Sequence, residues 1–143
     1  MEFNYNDGGR ADAGFKGKAG DCACRAIAIA TGLNYKDAYK LINDFAKNEK
    51  LGKRKKTRSN ARTGVYNDTM KKIMESLGWE WVATMGIGSG CKVHMESDEL
   101  PNGNIIVRVS KHYAAVIDGV LNDTYDSSRD GSRCVYGYYR KRG

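Results

Sequence analysis

No run of apolar residues in this chain approaches the roughly 20 needed to cross a bilayer, which argues against a membrane-spanning helix. Glutamine is absent altogether, and only two histidines occur, His94 and His112. No two cysteines have C-x-x-C spacing. Cys22-Ala23-Cys24 is a poor chelate on a helix, and Cys91 with His94 makes only half of a site, so a structural zinc centre is disfavoured. Nor does an apolar stretch open the chain. Met1 to Lys18 is polar and glycine-rich, unlike a signal peptide, which predicts a cytoplasmic protein whose cysteines (Cys22, Cys24, Cys91, Cys134) are thiols.

What is present fits one domain, since 143 residues suffice for a single core. The formal charge of +7 comes from one place. Lys47 to Arg62 holds eight basic residues against the single acid Glu49, and the remaining sixteen basic and sixteen acidic residues cancel. A chain built throughout for nucleic acid would spread its charge. Three uses of the segment stay open: phosphate binding through Lys53, Arg54, Lys55, Lys56 and Arg58, steering of acidic partners, or a solvated loop. It carries no interleaved aromatics, so base stacking is not suggested by the segment itself.

Along the chain, residues 1–20 read as loop or extended, broken by five glycines. Cys22–Thr31 reads as a nearly all-apolar helix, between Asp21 as N-cap and Gly32 past its end. A second helix is expected from Tyr35 to about Lys50, with Ala38, Leu41, Ile42, Phe45 and Ala46 as its stripe, and a third from Tyr66 to Leu77. The period then switches to two. Strands are expected at Trp79–Met85, Asn104–Val109, His112–Ile117, Val120–Tyr125 and Cys134–Tyr139, the third and fourth joined by an Asp118-Gly119 turn. Helices first and strands second predict an α+β fold, a helical part over about 21–78 packed on an antiparallel sheet over about 79–143.

Cys22 falls at the first turn of its helix, where free N–H groups and the helix dipole favour a thiolate. Cys24 lies about 200° further round and is assigned to packing. If Asp118-Gly119 is a two-residue turn, Ile117 pairs with Val120 and Ala114 with Asp123. His112 and Asp123 then share a face as diagonal neighbours; a three-residue turn would select Asn122 instead. The order Cys22, His112, Asp123 suggests nucleophile, general base and orienting carboxylate.

The segment GDCACRAIA resembles the nucleophile segment GNCLFRAIA of ovarian-tumour-type deubiquitinases, with Cys22, Arg25 and Ala26 in matching places. KHYAAVIDG followed by Asp123 resembles the His-strand-turn-strand-Asp segment of papain-like peptidases, including bacteriocin-leader peptidases. Most of the chain is similar to small papain-like proteins of bacteriophages and prophages. The resemblance implies a helical subdomain headed by Cys22, a β subdomain carrying His112 and Asp123, and a substrate cleft between them, with neither metal nor organic cofactor needed. Two positions depart from it. No glutamine precedes the cysteine, and Ala19 stands where the deubiquitinases carry aspartate. Oxyanion candidates are therefore the Cys22 backbone N–H, Lys16 and Lys18.

These readings lead to the expectation of a cytoplasmic papain-like cysteine peptidase or isopeptidase, in a host's cytoplasm if phage-encoded, acting on a protein or peptide that a host could supply, with deamidation or transamidation open to the same machinery. The rival expectation is a catalytically inactive papain-like scaffold that binds a host protein or nucleic acid through the basic loop.

Overall fold

The computed structural model describes residues 1–143. Three helices, α1 (Cys22–Thr31), α2 (Tyr35–Ala46) and α3 (Asn67–Ser76), precede most of the sheet. The strands are β1 (Phe3–Tyr5), β2 (Trp79–Ala83), β3 (Asn104–Val109), β4 (His112–Ile117), β5 (Val120–Asp123) and β6 (Gly137–Lys141), in the spatial order β1-β5-β4-β3-β6-β2.

Each helix forms for local reasons that the residues make plain. In α1 the apolar residues run all round, and Gly32 closes it in the left-handed region (φ 81°), its N–H donating to Ala28 O. Asp21 does not cap the helix with its side chain, because that carboxylate is used elsewhere. In α2 the Asn34 side chain accepts from the Asp37 N–H at 2.8 Å, and Ala38, Ile42 and Ala46 are buried on one stripe. In α3 Met70, Ile73 and Met74 do the same.

Alternation along the central strands feeds two apolar layers, one on each face of the sheet. On one face Ile106, Tyr113, Ala115 and Tyr139 meet Ala23, Ile27, Ala30, Ile42, Met70 and Met74 from the helices. On the other, Ile105, Val107, Val109, Ala114, Val116 and Leu121 pack under Met95, Leu100 and Val135. Fully burying a side chain such as Ile27 or Leu121 is worth about 1.5–3 kcal/mol, so both faces stabilise the sheet.

The α+β layering is as expected, but the sheet is mixed rather than antiparallel. β1 lies parallel to β5, with Phe3 opposite Leu121, Asn4 opposite Asn122 and Tyr5 opposite Asp123. All three β1 residues are exposed. The strand is held by backbone pairing and by Asn4 Nδ2 donating to Asn122 Oδ1 at 2.8 Å. Hydrophobic periodicity therefore carries no trace of it. The last strand also shifts, to Gly137–Lys141 instead of Cys134–Tyr139; Cys134 pairs instead with His94 in an isolated bridge. Gly137 is required where Trp81 crosses, because a Cβ there would lie 2.2 Å from the indole ring.

The hairpin between β4 and β5 has the two-residue turn. Asp118 and Gly119 both take positive φ, 47° and 80°, the geometry that Asp-Gly favours. Ile117 pairs with Val120, Val116 with Leu121 and Ala115 with Asn122. One further step along this register brings Asp123 opposite Ala114, toward His112.

Candidate binding cleft

The first turn of α1, the start of β4 and the end of β5 meet at one edge of the sheet. His112 Nε2 lies 2.7 Å from Asp123 Oδ2, both residues buried. Cys22 lines the same cleft as His112 and interacts electrostatically with its imidazole. The structure thus joins His112 to Asp123, while Cys22 only shares the cleft wall with His112.

The ionisation of each member follows from its neighbours. Burial alone pushes the Cys22 thiol up. The His112 bond and charge, the Tyr113 amide and the Arg25 charge outweigh it and hold the thiol below its usual value. Burial pulls His112 down, but Asp123 and the Cys22 sulfur raise it to about 9. Asp123, desolvated yet bonded by His112, Ser127 and the Thr124 amide, is lowered to about 2. Cys24 has the opposite fate: burial and the Asp21 charge push it up to about 12, as its assignment to packing requires.

Arg25 is the member that spacing alone did not single out. It is 8% exposed, donating from Nη1 to Asp123 Oδ1 at 2.6 Å and from Nε to Asp21 Oδ1 at 3.0 Å. Tyr35 Oη donates to the other Asp21 oxygen at 2.6 Å. Asp123 also accepts from Ser127 Oγ at 2.8 Å and the Thr124 N–H at 2.7 Å. Asp21, Arg25, Asp123 and His112 form a chain of alternating charge tying α1 to β4 and β5. The sequence signal for Arg25 was present, as a charged residue on an otherwise apolar helix.

Beside this row opens a cleft of about 650 Å³. Its cations are Arg25, Arg108, Lys111 and His112, its tyrosines are Tyr113, Tyr125 and Tyr136, and no carboxylate lines it. Arg108 stacks its guanidinium over Trp81 at 4.6 Å, and neither it nor Lys111 makes an ion pair. Thr63, Gly64 and Val65 form another wall. The same three residues line a second hollow with Thr57, Arg58, Ser59 and Tyr66, so the two hollows share a wall and the second reaches Arg58 of the basic segment.

That segment is pinned at both ends. Glu49 accepts from the Ser59 N–H at 2.6 Å, from Ser59 Oγ at 2.5 Å and from Thr69 Oγ1. Asn43 Oδ1 takes the Ala61 N–H at 3.0 Å, and Arg62 donates to the carbonyls of Lys16 and Lys18. Lys55 pairs with Asp68 at 2.6 Å and lies over the Tyr66 ring. Lys53, Arg54, Lys56 and Arg58 are exposed between these anchors.

The expectation of a cysteine hydrolase, with its cysteine-protease, thiol-protease and catalytic-triad corollaries, is corrected. It took every cysteine as a thiol, whereas Cys91 and Cys134 are joined in a disulfide and only Cys22 and Cys24 are free. No group of three or more His, Cys, Asp and Glu side chains is gathered so as to hold an ion. Lys16 and Lys18 do not line the cleft; Ala19 and Gly20 occupy that stretch of its wall. Asp123 divides its carboxylate between His112 and the buried Arg25, so the row is part of the framework joining helix to sheet.

No protein-family model, curated protein or solved structure matches this chain. No helix is long and apolar enough to cross a membrane.

Proposed function

We propose that this chain is a non-catalytic binding module of papain-like architecture. Its ligand is single-stranded nucleic acid, held along the Lys53–Arg58 segment and into the adjoining cleft. The observation that carries the reading is the wall of Thr63, Gly64 and Val65 shared by the cleft and the hollow at Arg58. One end supplies exposed Lys53, Arg54, Lys56 and Arg58, and the other supplies Arg108 and Lys111 without a carboxylate. Such a surface attracts a polyanion. Tyr125 and Tyr136 add the aromatic faces that the basic segment lacks in its own sequence, and bases stack on such faces. The helices-then-sheet layout around a cleft headed by Cys22 supports the papain-like resemblance. A cytoplasmic setting, a host's cytoplasm for a phage-encoded chain, belongs to the same reading.

The test is fluorescence anisotropy with a labelled oligothymidylate across a salt series. Binding should weaken steeply with salt, the logarithmic slope falling by roughly 0.7 for each phosphate contact removed. The variant K53A/R54A/K56A/R58A should lose both affinity and slope, and Tyr125→Ala should lose affinity with the slope unchanged. Preferential binding of polyglutamate over the oligonucleotide would replace this reading with an acidic protein partner. Peptide turnover abolished by Cys22→Ser would overturn it.

A further inference from the structure

Away from the cleft, three segments bring soft donor atoms together around the Cys91–Cys134 disulfide. The two Cα atoms are 5.9 Å apart. His94 Nε2 lies 3.6 Å from Cys91 Sγ, and Met85 Sδ lies 3.7 Å from Cys134 Sγ. The strand-like pairing of His94 with Cys134 is secured on both sides, by Met95 N–H to Arg133 O at 2.9 Å and Val135 N–H to Val93 O at 2.8 Å. Glu99 Oε1 sits 3.2 Å from His94 Nδ1, and it also accepts the His94 backbone N–H at 3.2 Å. A carboxylate on one ring nitrogen fixes the tautomer and leaves the other with a free lone pair, as ligand histidines require. Here that free nitrogen is the one facing the sulfur.

We propose that reduction of the Cys91–Cys134 disulfide creates a binding site for a soft, thiophilic d10 cation, with Cys91, Cys134, His94 and Met85 as the donors. Two molecules of an external thiol supply the two electrons. They leave as their own disulfide while the protein S–S bond becomes two S–H groups. Metal binding then displaces the two thiol protons, and two thiolates, one imidazole and one thioether complete a four-coordinate set. Thiolate and thioether sulfur select cations such as Cu(I) and Zn(II) over hard ions such as Mg(II). In the oxidised chain the sulfurs are spent on each other, consistent with the absence of any ion-holding cluster in that state. Access is open at Met85, 38% exposed, and at Cys91, which is also exposed. The site shares no residue with the proposed nucleic-acid surface, so the two readings stand or fall separately.

The test uses full-length protein carrying Cys22→Ser, so that the cleft thiol does not compete. Oxidised and phosphine-reduced samples are titrated anaerobically with Zn(II) and with Cu(I) against a chromogenic chelator, with circular dichroism recorded throughout. The reduced protein should take up one equivalent of either ion and the oxidised protein none, and Mg(II) should not compete. His94→Ala should weaken both ions at least tenfold. Met85→Leu, which keeps the apolar volume, should weaken Cu(I) more than Zn(II). Glu99→Gln leaves every donor atom in place and should cost about tenfold. Equal uptake by oxidised and reduced protein, or full uptake by C91S/C134S, would overturn the proposal. So would a loss of helical signal on reduction that neither ion restores.

Discussion

The chain contains two concentrations of charge, and they behave oppositely. In the row Asp21–Arg25–Asp123–His112 four ionisable residues are buried, each against a partner of opposite sign. In Lys53–Arg58 the cations point to water, and only Lys55 has a carboxylate partner. Burial makes the difference. A desolvated charge must be paired or it costs several kcal/mol, whereas an exposed one is screened and stays available to a ligand. The first region is therefore framework and the second is surface for a partner.

The sharpest way to break this comparison is Arg25→Ala. It takes one cationic partner from each of two buried carboxylates, leaving Asp123 to His112 and Asp21 to Arg10, and urea unfolding should show a loss of about 3–5 kcal/mol. A loss under about 1 kcal/mol would mean that water enters the row and that the contrast with the basic segment is false. Glu49→Ala should come next, at about 1–3 kcal/mol, since it releases the Ser59 N–H and two hydroxyls that anchor the basic segment. Its oligonucleotide affinity should fall too, because the cations would lose their fixed spacing.

The pH dependence sharpens the comparison further. His112 is raised from 6.5 to about 9 on folding, so it contributes stability that is fully present below 6.5 and lost as pH rises through about 9. The lowered Cys22 has the opposite sign. Its contribution is present above the unfolded thiol value and lost as pH falls through its folded one. A thiolate–imidazolium pair binds the same number of protons as a thiol with a neutral imidazole. Wild-type stability should thus change little with pH wherever that pair persists between 6.5 and 9. Cys22→Ser removes the offset, and its stability should decline across that window by about 1.4 kcal/mol for each unit of His112 shift that Asp123 still sustains. Parallel wild-type and variant curves would remove the ion pair from the account. The smallest effect belongs to K53A/R54A/K56A/R58A, which should alter unfolding free energy by less than about 0.5 kcal/mol while reducing nucleic-acid binding. A large stability change there would make the segment framework after all.

Much of the fold was legible before any coordinates. The limits of α1, β3 and β4 match the expected segments residue for residue, because apolar runs bounded by cap and turn residues leave little freedom. The helix ends Ala46 and Ser76 fell short of Lys50 and Leu77, the first where the polar run after Ala46 frays the pattern, the second where Leu77 is the cap ahead of left-handed Gly78. Asp118-Gly119 carried enough turn chemistry to set the register of a hairpin, and with it the meeting of His112 and Asp123. The site was less legible than the fold. The tyrosines of the cleft come from separate elements, so no local motif announces them.

By itself the sequence determined the helices, the central strands, the hairpin register and the location of the net charge, all of which follow from interactions within a few residues or from composition. Only the tertiary structure decided four things: the parallel pairing of Phe3–Tyr5 with β5, the Arg25–Asp123 pair, the joining of Cys91 to Cys134, and the wall shared by the cleft and the hollow at Arg58. Each depends on groups far apart along the chain, brought together by packing of the two apolar layers. No periodicity or spacing encodes such meetings, because the free energy that selects them belongs to the assembled core.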